Sequence, residues 1–148
     1  MNRKDIEKIK SGMLRGAYFI GATHWFPIER ITKTIRIEPN YVWQQKNPLL
    51  MEVPNFPKID WGYKLPTRIY DSIETPACEI LEIFWPLRHT IVPFVQDNHL
   101  RCSLDIELNI CEEDDFDLPV VCELSVETMK KICDLNTTFQ ITHHFHYQ

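Results

Sequence analysis

Residues 102–110 alternate strictly between apolar and polar side chains. The apolar positions are Cys102, Leu104, Ile106, Leu108 and Ile110, and the polar positions are Ser103, Asp105, Glu107 and Asn109. Because successive side chains of a β-strand point to opposite faces, this period of two sends one set into a core and the other into water. The segment therefore predicts a sheet that is covered on one face and partly open to solvent on the other.

The remaining elements are predicted from the same kinds of pattern. Strands are expected at 18–23, 41–45, 60–65, 120–124 and 139–147. A helix is expected after Pro27, with Ile28, Ile31 and Ile35 on its apolar face. A second helix is expected to begin at Thr75 and Pro76 and to break near Trp85–Pro86. A third helix is expected after Ser125, with a buried face made of Val126, Met129, Ile132 and Cys133. The order is roughly β-α-β-β-α-β-β-α-β, which predicts an α+β fold with an antiparallel-rich sheet and two or three helices packed mainly on one face.

Length and charge limit the class of protein. The 148 residues predict a single domain spanning 1–148, in which 1–16 form a leading helix or arm. A net charge of −5 argues against a nucleic-acid binder, which would normally show a basic patch. Residues 1–10 are charged throughout and no apolar run is long enough to cross a membrane, so a cytoplasmic protein is expected. The five cysteines have no paired spacing, which is typical of a reduced chain.

Three segments resemble one known family. They are "AYFIGATHWFPIERITKTIRIEPNYVW", with Ile37-Glu38-Pro39 and Trp43; "DWGYKL", with Trp61; and "LSVETMKKICDLNTTFQITHHF". These resemble the opening unit, the second tryptophan strand and the closing helix–strand unit of the bacterial domain of unknown function 4279. The resemblance covers roughly residues 17–147.

The chain departs from this family at two places. His143 and His144 stand where the closing strand of the family often carries an acidic residue, and Gln44–Asn47 replace a usual glycine. The resemblance implies the fold of a bacterial protein and supplies no catalytic residues. Some relatives of the family look like immunity proteins of toxin systems, so immunity is the function that the resemblance suggests.

A metal site is one hypothesis for the terminal strand. His144 and His146 lie two residues apart and therefore on one face of that strand, where two imidazoles can share a metal. If the strand neighbours 102–110, Asp105 and Glu107 could add oxygen ligands or act as acid–base partners. The alternative is a solvated polar sheet face near a chain end.

A partner-binding surface is the second hypothesis. Trp43 and Trp61, with Tyr63, flank a proline-rich apolar loop at 46–58, and large aromatic side chains are enriched where proteins bind one another. The alternative is that these aromatic side chains serve the core.

An acidic run is the third candidate. Glu112, Glu113, Asp114 and Asp115 could bind a basic partner, such as a toxin domain whose active cleft holds phosphate. A solvated connection between strands is the alternative interpretation.

The sequence contains none of the common catalytic motifs. It has four glycines and no phosphate loop, no G-x-S-x-G elbow and no paired C-x-x-C spacing. We therefore expect no catalytic residues and no cofactor. The leading expectation is a non-catalytic protein-binding domain, and the alternatives are a small metal-dependent enzyme and a ligand-sensing domain.

Overall fold

The structure is a computed structural model that describes residues 13–111 and 121–146, with the backbone alone at 109–111 and 144–146. The strands are β1 (Met13–Ala22), β2 (Tyr41–Gln44), β3 (Ile59–Lys64), β4 (Arg68–Ile69), β5 (Arg101–Cys111) and β6 (Thr138–His146). The helices are α1 (Ile28–Ile35), α2 (Pro48–Met51), α3 (Glu74–Phe84), α4 (Arg88–Asp97) and α5 (Val126–Asp134). None of the helices in these ranges has the length and hydropathy needed to span a bilayer.

β1 lies at the centre of a six-stranded sheet of order β2-β3-β1-β5-β6, and β4 pairs with the start of β1. β1 runs antiparallel to β3 and β5, and β3 runs antiparallel to β2. β5 and β6 are parallel, as a connection that contains a helix, here α5, permits. The predicted α+β class with an antiparallel-rich sheet is confirmed. Glu107 and His144 lie on neighbouring strands of one sheet, which is the arrangement that the metal-site hypothesis assumed.

The core lies between one face of the sheet and the helices. Leu104 and Ile106 of β5 are fully buried in it, so the apolar side of the alternating pattern is confirmed at these two positions. Phe84 of α3 stacks on Tyr18 with 4.2 Å between ring centroids and meets the ring of Trp61 edge-on at 6.2 Å. Since these contacts join α3 to β1 and β3, the helix-covered face of the sheet is where the hydrophobic burial occurs.

Gly16 of β1 allows α3 to lie close to the sheet. A Cβ at this position would stand 2.5 Å from the carbonyl oxygen of Pro76 and 3.1 Å from Ile80 Cβ. Because a backbone oxygen cannot move without shifting α3, we expect Gly16→Ala to lower the free energy of unfolding by about 2 kcal/mol. Chemical denaturation followed by circular dichroism measures this loss. Gly21→Ala should lower the free energy of unfolding by less, since the added Cβ would lie 3.2 Å from its nearest atoms. Equal losses for the two variants would contradict the close approach of α3 to β1.

Prolines mark one helix start and one helix break, although Pro93 lies inside α4. α1 begins directly after Pro27, and its buried side chains are the predicted Ile28, Ile31 and Ile35. α3 ends at Phe84, and a 3-10 turn at Trp85–Leu87 separates it from α4, so the predicted break is confirmed. A proline in a helix interior removes a hydrogen bond and clashes with the preceding turn, which explains the break.

The start of α3 is earlier than predicted. The helix begins at Glu74, and the hydroxyl of Ser72, not that of Thr75, accepts the Glu74 N–H at 3.0 Å. The cap residue is Ile73, which has no side-chain oxygen, so the usual capping pattern could not mark this helix start.

The strand predicted at 120–124 is wrong for the residues that are described. Val121 forms one isolated parallel bridge with Ser72, and 122–125 have no regular structure. The Glu74 carboxylate accepts hydrogen bonds from the backbone N–H and the hydroxyl of Ser125 at 2.9 and 2.8 Å. These bonds hold the chain at the start of α3 instead of along a sheet edge.

The predicted buried face of α5 is wrong at three of its four positions, whereas Ile132 and the Ser125 cap are confirmed. The members of that face that are exposed are Val126, Met129 and Cys133. The buried side chains of α5 are Thr128 and Ile132. The Thr128 hydroxyl donates to Glu74, so a polar contact between helices decides which side of α5 turns inward.

Candidate functional site

The sheet face opposite the helices carries the polar members of the strands, and we call it the polar face. The register aligns Trp43 with Asp60; Lys64 with Ala17, Asp105 and Gln140; and Arg15 with Glu107 and Thr142. Residues paired across neighbouring strands point to the same side of a sheet. Side chains from five strands that are far apart in sequence therefore share one surface.

The polar face is concave and borders a partly open space of about 500 Å³, which we call the concavity. Its size falls in the range of roughly 300–1,000 Å³ that is usual for ligand sites. Its lining includes the carboxyl groups of Asp60, Asp105 and Glu107 and the aromatic side chains of Phe19, Tyr41 and Trp43.

The expectation that the polar side of β5 points into water is wrong at two positions. Asp105 is 9% exposed and Glu107 is 2% exposed. Both side chains lie on the predicted side of the strand, but the concave sheet brings Arg15 of β1 and Lys64 of β3 over Glu107. Long side chains from neighbouring strands thus exclude water from positions that the alternation alone assigns to solvent.

Glu107 is held as a buried, paired carboxylate. Arg15 Nε donates a hydrogen bond to Glu107 Oε2, and Lys64 Nζ lies 3.2 Å from Oε1. Burial alone would raise the pKa of Glu107, but the hydrogen bond and charge of Arg15 and the charge of Lys64 hold it below its ordinary value. Glu107 therefore stays ionised, with Arg15 and Lys64 both paired to it.

Asp105 differs from Glu107 because its pKa is raised, not lowered. Its Oδ1 is buried and accepts no hydrogen bond from the residues that the structure describes, although the carboxyl group has a hydrogen bond with Ser103. Burial, together with the negative charge of Glu107, raises the pKa of Asp105 to about 6. A buried acceptor without a donor is rare in folded proteins and calls for an explanation.

Asp60 of β3 is the second carboxyl group without a cation. Burial and the negative charge of Asp105 raise its pKa to about 7, against an opposing effect of Lys64. Among residues 13–111 and 121–146, neither Asp60 nor Asp105 forms an ion pair. Arg101 also lines the concavity, at an exposed position.

Aromatic side chains form one wall of the concavity. Phe19 and Tyr41 meet edge-on with 5.6 Å between centroids. Gly62 makes room for them, since a Cβ there would lie 2.7 Å from the Phe19 ring. Lys64 Nζ lies 4.4 Å from the Tyr41 centroid and 5.5 Å from that of Phe19, so it already interacts with both rings. Trp43 lines the same space and is partly buried.

The structure separates the aromatic residues that were predicted to bind a partner. Trp43 lines the concavity, but Trp61 is 0% exposed and lies in the core, where its Nε1 donates to Thr32 Oγ1 at 3.1 Å. Tyr63 also faces the core, with its ring 6.0 Å from that of Phe84. Adjacent strand positions point to opposite faces, so Trp61 and Tyr63 cannot share a surface with Trp43.

The other predicted site residues are only partly described. The acidic run of Glu112, Glu113, Asp114 and Asp115 lies outside the described residues. The backbone register pairs His144 with Asn109 and His146 with Cys111, next to Asp105 and Glu107 on the same sheet, but the two imidazoles lie outside the description. Within the described part of the chain, no group of three or more His, Cys, Asp or Glu side chains could hold a metal ion.

Asp60, Lys64 and Tyr41 are site residues that the sequence interpretation missed. One signal was available: in "DWGYKL", Asp60 and Lys64 alternate with Trp61 and Tyr63, which predicts that the charged pair shares the uncovered face. Their meeting with Asp105 depends on β1 lying between β3 and β5, which no local pattern indicates.

Comparisons with known proteins add no relative. A scan against protein-family models, a search of the curated proteins and a search of the solved structures each find no match. The resemblance to the domain of unknown function 4279 therefore stays a prediction from the quoted segments.

Proposed function

We propose that this chain is a non-catalytic protein-binding domain whose polar face takes a basic partner, in the manner of a bacterial immunity protein that covers the cleft of a toxin. One observation carries the proposal: the concavity holds two carboxyl groups, Asp60 and Asp105, that form no ion pair within residues 13–111 and 121–146. Carboxylates kept from water gain most when a partner supplies the missing positive charge.

The charge of the whole chain favours the same kind of partner. The net charge is −5, and the acidic run at 112–115 continues directly from β5, which contributes Asp105 and Glu107 to the polar face. Complementary charge raises the association rate and selects against acidic partners. A cleft that binds phosphate is basic and fits this chemistry.

Ligand sensing is a second candidate, because a concavity of about 500 Å³ also suits a small cationic molecule. This candidate predicts a thermal shift with a small amine or guanidine and no stable protein complex. The proposed binding domain predicts a one-to-one complex, for which the product of the neighbouring gene is the first partner to test.

We expect Asp60→Asn and Asp105→Asn each to weaken the complex by about tenfold, because each removes a poorly solvated charge that the partner neutralises. Isothermal titration calorimetry with the neighbouring gene's product measures the affinity. Glu82→Gln is the matched control, since it removes one exposed carboxylate on α3, on the other side of the sheet. The association rate of the unchanged protein should fall steeply as salt is added.

Two results would contradict this proposal. An affinity that is the same for Asp105→Asn, Asp60→Asn and Glu82→Gln would exclude the polar face as the binding surface. Association that is independent of salt would remove charge complementarity as its basis.

A further inference from the structure

The two edges of the sheet differ in how they are protected against a further strand. Among the strands of residues 13–111 and 121–146, β2 and β6 lie at the edges. β2 has only four residues, with Pro39 before it and Pro48 after it, whereas the nine residues of β6 pair with β5 in one unbroken register. Short strands, prolines, bulges and charged side chains are the usual protection of an edge. Thr138–His146 contains no proline and no lysine, arginine, aspartate or glutamate, so β6 has none of these protections.

The outer side of β6 offers backbone hydrogen-bonding groups. Every second residue of an edge strand directs its N–H and C=O groups away from the sheet. Within the described part of the chain, no group bonds to that outer side of Thr138–Thr142. A row of such groups is completed by an extended segment of another chain, which adds one strand to the sheet.

The layer of helices also stops short of β6. Ile106 of β5 is 0% exposed, whereas Ile141, its neighbour in the register and on the same face, is 40% exposed. Phe139, two residues earlier on that face, is only partly buried. The apolar side of the sheet therefore continues to β6 without being closed there. A further strand with apolar side chains on this face would remove Ile141 from water, which is favourable.

The lack of charge along β6 favours a second copy of this chain as the occupant. A two-fold axis brings the side chains of an edge strand close to their own copies, so a charged edge repels a second copy. The side chains at 138–142 are Thr, Phe, Gln, Ile and Thr, and none of them is charged. The net charge of −5 belongs to other segments, so salt screens most of its effect on this pairing.

We propose that β6 pairs antiparallel with β6 of a second copy of this chain, so that two sheets join into one across a two-fold axis. Ile141 and Phe139 then pack against the same side chains of the other copy. Thr138, Gln140 and Thr142 line the concavity, and an axis perpendicular to the sheet places both concavities on the same side of the dimer. The dimer does not depend on the proposed function, because a basic partner could bind the polar face of a monomer or of a dimer.

Sedimentation velocity of the whole chain over a range of concentrations tests this pairing, and we expect a dimer at micromolar concentrations. Ile141→Lys places two lysines near the two-fold axis and should weaken the dimer by about a hundredfold or more. Ile69→Lys is the matched control, because Ile69 is 51% exposed on β4, away from β6, and it should leave the dimer intact. Circular dichroism shows whether both variants fold.

Hydrogen exchange locates the interface in the unchanged protein and needs no variant. Followed by mass spectrometry, the peptide that contains Thr138–Thr142 should exchange more slowly at concentrations that give the dimer than at concentrations that give the monomer. The peptide that contains Tyr41–Gln44 of β2 should not change.

Three results would overturn the pairing through β6. They are a chain that stays monomeric at every concentration, a dimer that Ile141→Lys and Ile69→Lys weaken equally, and exchange at Thr138–Thr142 that is independent of concentration. Each of these results leaves the binding of a basic partner to the polar face unaffected.

Discussion

Trp61→Ala is expected to lower the free energy of unfolding by about 3–5 kcal/mol. The Trp61 side chain is 0% exposed, meets Phe84 edge-on and donates a hydrogen bond to Thr32. Removing it leaves a cavity between β3 and α3 and an unused hydroxyl acceptor. Urea unfolding followed by circular dichroism measures the loss without depending on tryptophan fluorescence.

Trp43→Ala is the matched control, because Trp43 is the same residue type on the opposite face of the sheet. We expect it to change the free energy of unfolding by less than about 1 kcal/mol, since a partly buried surface side chain loses less on truncation. If Trp61→Ala does not fold, Trp61→Phe retains most of the apolar volume and should still cost more than Trp43→Ala. Similar losses for the two positions would contradict the assignment of Trp61 to the core.

The second large effect is expected in the dependence of stability on pH. The pKa of Asp105 is about 6 and that of Asp60 about 7 in the folded state, against an ordinary value of 3.8. A raised pKa means that the folded chain holds the proton more tightly than the unfolded chain. The stability linked to these groups is therefore complete below about pH 4 and is lost as the pH rises through 6 and 7.

Asp105→Asn should remove much of this loss. Since one pKa unit corresponds to about 1.4 kcal/mol, we expect the variant to be more stable than the unchanged protein at pH 8 by about 2–3 kcal/mol. The difference should shrink towards pH 4. Glu107 does not disturb this range, because its pKa is lowered and its own contribution is lost only below its ordinary value of 4.5. Urea unfolding at several pH values measures the difference.

Glu82→Gln is again the control and should show no such pH dependence. A loss of stability in Asp105→Asn at pH 8 would mean that the fold favours the carboxylate, and the description of Asp105 as a desolvated acid would be wrong. The expected increase in stability also makes the binding experiments easier to interpret. A variant that is more stable than the unchanged protein cannot lose its partner through unfolding.

Much of the fold could be predicted from local patterns. The alternation in β5 and β6, the proline that precedes α1 and the break at Trp85–Leu87 were all visible in the chain. Each depends on sterics within a few residues, so a local pattern suffices. The predicted strand at 120–124 and most of the predicted buried face of α5 were wrong. Glu74, some fifty residues away, decides the course of both segments through its bonds to Ser125 and Thr128.

The candidate site was less accessible to sequence reasoning. The alternation of its strand identifies Asp105 as a site residue, but no pattern identified Asp60. Of the two alternatives for Trp61, partner binding and the core, the structure shows the core. The alternation of "DWGYKL" separates Asp60 from Trp61, yet the side on which Trp43 lies depends on the register between β2 and β3. A shift of one residue in that register would have placed Trp43 on the face of the sheet that the helices cover.

The sequence by itself determined which side chains of each strand point the same way, since successive Cβ atoms in extended backbone alternate by covalent geometry. Only the tertiary structure decided that Asp105 and Glu107 are shielded from water and that their pKa values shift in opposite directions. Arg15 lies 92 residues from Glu107 along the chain, and it reaches that carboxylate because β1 pairs with β5. Pairing between distant strands places charges next to one another and excludes water from them. The neighbouring charges and the loss of water together set the pKa of each acidic side chain.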